Sequence, residues 1–301
     1  MKLLALLIGL VVERLATQLF HLRTLRWLDR AIDFGFRQGD RVANWPAVIP
    51  VTILVIVLVL PVFLARLGLG DTLYELPYLI LAILVLFFSL GPKDIGEDVD
   101  EFCRAIEEDD AERIQETARA LIESDVPEDV ADRTRLVEES VCIQANNRLF
   151  AVVFWFVLLG PVGAWAYRVT DLIRRRAVFN ALRAEETDET PLTAASEMLH
   201  GWLAWIPARL TAIGYAMAGS FDGALTAWRT ADQAPPSTSH GKSERLLARV
   251  GTGALALHNQ DGESPANRSI RGAISANGLV YRLLIIWAVV ISAMTLYGLS
   301  V

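Results

Sequence analysis

Residues 47–66, AVIPVTILVIVLVLPVFLAR, carry one charged side chain, and it stands at the very end, Arg66. A helix rises about 1.5 Å per residue, so such a run matches the ~30 Å hydrocarbon core of a bilayer. Lipid offers no hydrogen bonds to an open backbone, so a segment of this kind crosses as a helix. Two further runs fit the same requirement, 73–91 (LYELPYLILAILVLFFSLG) and 280–300 (VYRLLIIWAVVISAMTLYGLS). Only the short GLGDT stretch separates the first two, which predicts a membrane hairpin. Composition agrees: 53% of the chain is hydrophobic, against about 45–50% in soluble domains.

Two other apolar stretches are interrupted. Residues 149–173 contain Gly160, Pro161 and Gly163; residues 199–219 contain Pro207 and Arg209. Broken backbone at membrane depth survives where protein or a wet cavity satisfies it. Arg23, Arg26, Arg30, Arg37 and Arg41 place residues 21–46 in the cytoplasm by the positive-inside rule. The hairpin returns the chain there at Pro92. A full crossing by 149–173 would export Arg174, Arg175 and Arg176, so both broken stretches are expected to be re-entrant or in-plane. The N-terminal run Leu3–Val12 is followed at once by Glu13-Arg14, with no small-residue cleavage site, and reads as a retained helix.

The net charge of −7 hides a division: residues 93–140 hold 18 acids and 6 bases, while the rest is mildly basic. This acidic stretch reads as amphipathic helices, with Val99, Phe102 and Ile106 on one face, Ile114, Ala118, Leu121 and Ile122 on another, and Asp109-Asp110 as an N-cap. An acidic soluble region excludes a nucleic-acid partner. Cys103 and Cys142 have no CxxC spacing and read as buried thiols.

The expected fold class is therefore all-α: a polytopic integral membrane protein with broken or re-entrant helices and a small cytoplasmic helical subdomain. Its parts are an N-terminal helix and transmembrane hairpin (1–92), the acidic subdomain (93–148), broken membrane helices (149–219), a polar loop region (220–278) with one short helix after Lys242, and a C-terminal transmembrane helix (279–301).

Motifs for chemistry are few. His240-Gly241-Lys242-Ser243 ends like a phosphate-binding loop, but Pro236 stands where the motif requires a glycine. His21, His200, His240 and His258 are all far from one another in sequence, so no metal and no cofactor is expected. The densest polar cluster beside apolar sequence is Glu138, Glu139, Asn146, Asn147 and Arg148, followed by Tyr167, Arg168 and Asp171. Ionisable groups at membrane depth are costly and tend to pair or line a cavity, although the same groups at helix ends also serve as interfacial anchors. Glu139, Asn147, Arg148, Tyr167, Arg168 and Arg209 are the candidate ligand-binding residues. They are expected to converge on one cavity of positive interior, with Glu139 as counter-charge and an anionic small ligand or acidic protein as guest.

The runs NNRLFAVVFWFVLLGPVGAWAYR (146–168) and WIPARLTAIGYAMAG (205–219) resemble the two membrane signatures of the CobD/CbiB cobalamin-synthase-like superfamily. Glu13-Arg14-Leu15, the ending TLYGLSV (295–301), the length and the order of spans resemble its AmpE family. In the superfamily's enzyme branch, which joins an aminopropanol unit to a corrinoid carboxyl, the resemblance implies carboxylates around these motifs. Glu139-Ser140 keeps that pattern. An expected Glu-Asn pair falls on Ile143-Gln144, an Asp on Asn147, an Asp-Asp pair on His200-Gly201, an Asn on Ala204 and an Asp on Arg174. Loss of these groups implies loss of the synthase chemistry. The AmpE resemblance implies a regulatory or sensory protein of the bacterial inner membrane, linked to β-lactamase induction and cell-wall recycling, with a muropeptide-like ligand or a protein partner. An amide-forming membrane enzyme with changed catalytic groups and a small-metabolite transporter are the alternatives.

Overall fold

The computed structural model describes residues 26–41, 45–69, 76–90, 94–122, 125–183, 190–231, 241–257 and 262–296. The expectations for the Leu3–Val12 helix, for Glu13-Arg14, for Pro236 and His240 and for 295–301 as a motif fall wholly or largely outside these residues. The described residues form helices and no strand: α1 (Arg26–Arg41), α2 (Val48–Leu69), α3 (Leu76–Ser89), α4 (Ile95–Glu107), α5 (Ala111–Leu121), α6 (Val130–Ala145), a π-helical turn (Asn146–Phe150), α7 (Ala151–Leu159), α8 (Pro161–Arg183), α9 (Pro191–Ala218), α10 (Phe221–Ala231), α11 (Lys242–Leu255) and α12 (Pro265–Leu296). They fall into two compact units, one of α1 to α3, α7, α8 and α9 as far as Ala204, the other of α4 to α6, the π-helical turn, α9 from Trp205 onward and α10 to α12.

In the first unit, α1 buries Leu28, Ile32 and Phe36, one stripe at four-residue spacing. They pack with Val51 and Leu54 of α2, Val85 of α3, Trp165, Val169 and Ile173 of α8, and Ala195 of α9. Ile53, Ile56, Leu60 and Leu64 of α2 remain exposed, as lipid-facing side chains do. The break at 160–163 is present: Gly160 takes φ 73°, a left-handed conformation that glycine adopts without a Cβ clash. Pro161 then begins α8, where its missing N–H costs nothing. A Cβ on Gly163 would lie 2.6 Å from the Trp155 carbonyl oxygen, so the chain folds back tightly on itself here.

The expected break in 199–219 is absent: α9 is one 28-residue helix with Pro207 inside it. Proline at 207 leaves the Leu203 carbonyl without its helical donor. The Trp155 indole N–H of α7 supplies one, at 3.1 Å. A second tryptophan stands beside the proline of α2. Pro61 lacks the N–H that would serve the Val57 carbonyl, and Trp165 Nε1 of α8 donates to the next carbonyl, Leu58 O, at 3.0 Å. Neighbouring donors of this kind are what allow proline inside apolar helices. Trp165→Phe is expected to remove this hydrogen bond and to cost about 0.5–1.5 kcal/mol. Thermal unfolding in detergent checks this, with the exposed Trp202→Phe as a control that shifts little.

In the second unit the acidic helices follow their sequence pattern. Asp94, Asp110 and Asp129 cap α4, α5 and α6 by accepting from Gly96, Arg113 and Asp132 backbone amides. The core holds Val99 and Phe102 of α4, Leu121 of α5, Val137 and Val141 of α6, Tyr215 of α9, Leu247 of α11 and Leu283 of α12.

The region 220–278, expected as polar loop, holds α10, α11 and the first turns of α12. α10 and α11 meet through glycines. A Cβ on Gly223 would strike the Gly253 carbonyl, and one on Gly253 would strike Gly223. Close backbone approach substitutes for a long apolar face.

Among the described residues, Val48–Gly68, Val130–Leu159 and Pro265–Met294 are long and apolar enough to cross a membrane; Leu76–Ser89 is apolar but shorter. The second of these runs joins part of the expected acidic subdomain to the first broken segment. From Val137 onward its polar residues are buried or half-buried, so the solvated face that the net charge of 93–140 implied is confined to its first turns, at Asp132 and Arg135.

Candidate functional site

Each unit carries a buried polar cluster. In the first, α8 places Arg168, Asp171, Arg174 and Arg175 at three- and four-residue spacing, which brings them to one face. The Asp171 side chain is fully buried. Its Oδ2 accepts from Arg168 Nη1 at 3.0 Å and from Arg175 Nε at 2.9 Å; its Oδ1 accepts from Arg174 Nη2 at 3.4 Å. His200 of α9 brings Nε2 to 3.7 Å from Oδ1 and to 3.2 Å from the Tyr167 hydroxyl. Three guanidinium groups and an imidazole thus surround one carboxylate, with Arg168, Arg174 and His200 each buried. Glu197 stands one turn before His200 on α9.

The adjoining Arg176 turns to α1, where it grips Asp33 bidentately at 2.7 and 2.6 Å, and Asn180 adds a third donor. The Arg176 hydrogen bonds hold the Asp33 carboxyl below the usual carboxylate range. The folded pKa lies below the unfolded one. This contribution to stability is therefore complete above the ordinary carboxylate pKa and lost as pH falls through the lowered value. Asp33→Asn is expected to flatten the acid-side decline of the melting temperature, measured from pH 6 down to about 3.

In the second unit the π-helical turn Asn146–Phe150 carries the cluster. Such turns insert one extra residue and re-aim the side chains around them. Arg148 Nη1 pairs with Asp98 Oδ2 of α4 at 2.9 Å, its Nε donates to Gln144 Oε1 at 3.0 Å, and its Nη2 to Ala120 O at 3.2 Å. Asn147 Nδ2 donates to Glu244 Oε1 of α11 at 3.0 Å. Asn146 donates to Asn147 Oδ1 and accepts from the Thr211 hydroxyl of α9. Nearby, Arg268 of α12 pairs with Glu138 at 2.5 Å, and Thr134 bonds Ser269. Cys103 and Cys142 are buried and unbridged, and burial pushes the Cys103 thiol up to about 11.

Of the candidate residues, Asn147 and Arg148 share the second cluster, and Tyr167 and Arg168 share the first. Glu139 lies half-buried on α6 beside Glu138. Arg209 is partly exposed: it donates to Trp205 O at 3.0 Å and lies 3.9 Å over the Trp205 ring. The counter-charges are Asp98 for Arg148 and Asp171 for Arg168, where the sequence suggested Glu139. Asp98, Glu244 and His200 were missed. Asp98 and Glu244 pair across 50 and 97 residues, with no local signal. His200 could have been found, because it stands where the resemblance puts a carboxylate.

This is a helical membrane protein that holds two clusters of ionised groups inside, on helices interrupted by a tight turn and a π-helical turn. The chain belongs to the AmpE family: the family described as "Regulatory signalling modulator protein AmpE" matches residues 1–301. It is also similar to the cobalamin biosynthesis protein CobD of Stutzerimonas stutzeri (strain A1501), 26% identical over 212 residues, 68% of each chain. CobD of Chromobacterium violaceum is 26% identical over 181 residues, 60% of this chain and 55% of that one. The chain thus spans little more than half the length of that second relative. No solved structure matches.

Proposed function

We propose that this chain is a multi-pass regulatory protein of the bacterial inner membrane, associated with β-lactamase induction and cell-wall recycling, which acts by binding an anionic ligand at the Asp171 cluster. The observation that carries this reading is a reversal of charge. The resemblance to the synthase branch implies carboxylates at positions 174 and 200. Here Arg174 and His200 stand there, both within 4 Å of Asp171. An acid-rich site holds cations; one lined by arginines suits carboxylates and phosphates, which guanidinium groups bind in bidentate fashion. A muropeptide, with several free carboxylates, fits that chemistry. Arg168 and Tyr167 are the candidate residues that belong to this site; Glu139, Asn147, Arg148 and Arg209 lie in the other compact unit, where Asn147 and Arg148 share the second polar cluster.

Calorimetric titration of the full chain in detergent tests the reading. A muropeptide with free carboxylates should bind at least about tenfold more tightly than its fully amidated counterpart, the value of one charge-assisted hydrogen bond. Equal affinities, or no binding of either, would overturn it.

The similarity to CobD keeps a second reading in view, an amide-forming enzyme with altered catalytic groups. Ile143, Asn147, His200 and Gly201 stand at positions where the resemblance implies carboxylates, and their replacement removes acid/base groups and metal ligands together. A strain lacking adenosylcobinamide-phosphate synthase is therefore expected not to grow on cobinamide precursors when it carries this chain. Rescue of growth would favour the enzyme.

A further inference from the structure

α1 has two unlike faces. Leu28, Ile32 and Phe36 are buried, and Asp33 is tied to Arg176. The opposite face exposes Trp27, Arg30, Phe34 and Arg37, at alternating three- and four-residue steps. Trp27 and Phe34 are 59% and 58% exposed, although both are large apolar side chains. No acid stands among these four positions. Trp45, also exposed, follows α1 just before the apolar helix α2 begins at Val48.

From this arrangement we infer that the outer face of α1 is a docking surface for anionic phospholipid headgroups, with the helix lying in the interface plane. Its aromatic rings enter the boundary between headgroups and acyl chains, and Arg30 and Arg37 meet the lipid phosphates. Three observations select lipid as the occupant. Aromatic and arginine side chains alternate on one face, the pattern of an interfacial helix. The face is purely cationic, complementary to an anionic leaflet. It also leads within seven residues into the helix that enters the hydrocarbon, so it starts at headgroup depth. The Arg176–Asp33 ion pair fixes α1 to α8 and keeps its inner face from rotating outward.

The test uses the full chain with Cys103 and Cys142 replaced by alanine and Phe34→Cys carrying an environment-sensitive fluorophore. It is reconstituted in phosphatidylcholine vesicles with and without phosphatidylglycerol. Lipids bearing a shallow nitroxide should quench the fluorophore, and spin-labelled phosphatidylglycerol should quench it more than spin-labelled phosphatidylcholine. Arg30→Gln and Arg37→Gln should each lower that preference, by up to about fivefold. Arg245→Gln, on α11 in the other unit, serves as a control that leaves the preference unchanged. A water-like, unquenched signal would overturn the inference. So would a blue-shifted but unquenched signal, because another protein segment would then cover the face. Quenching with no dependence on Arg30 or Arg37 would also overturn it.

Discussion

Asp171→Asn should destabilise the protein by about 3–5 kcal/mol, the cost of leaving buried charge without its partner. Asp171 is wholly buried, and Arg168, Arg174 and Arg175 all direct guanidinium donors at it. Asparagine keeps the size and one acceptor but removes the charge that offsets these cations. Thermal unfolding in detergent measures the loss. The proposed ligand gives this prediction a second part. If an anion binds among the same arginines, it should restore stability to Asp171→Asn more than it raises that of the parent, because binding to the folded state alone stabilises it by mass action. A loss below about 1 kcal/mol would mean that water reaches the cluster and screens it.

The second large effect lies at the π-helical turn. Arg148→Met should cost about 3–5 kcal/mol, because it strands Asp98 in a buried site. Asp98→Leu alone should cost a similar amount by stranding Arg148. The double variant should recover most of the loss, since a buried ion pair replaced by apolar groups of similar volume is often close to neutral. A double-mutant cycle on melting temperatures checks this. Additive losses would show that Arg148 matters through Gln144 and the Ala120 carbonyl rather than through Asp98.

Local features were legible in the sequence. The cap at Asp110, like those at Asp94 and Asp129, depends on residues two or three positions away, and α4 and α5 follow an apolar period that α6, buried around most of its surface, does not. The reversal at Gly160 was legible because glycine and proline act on their own backbone. What escaped depends on distant partners. Pro207 reads as a break until Trp155 is known to serve the Leu203 carbonyl. The π-helical turn leaves no periodic mark, and α10 and α11 meet through two glycines in a stretch otherwise rich in loop-forming residues. Density of polar residues along the chain points to the arginines; it carries no mark of Asp98, Glu244 and His200, whose roles depend on packing between helices.

The central claim is that cations at positions 174 and 200 make the Asp171 cluster an anion site. Its most direct test is the affinity of a carboxylate-bearing muropeptide for Arg174→Gln, Arg174→Asp and His200→Asp, each first shown to keep a cooperative thermal transition. Affinity should fall about tenfold for Arg174→Gln and further for the two charge reversals, to the limit of detection in their combination. Affinity unchanged across the series would contradict it.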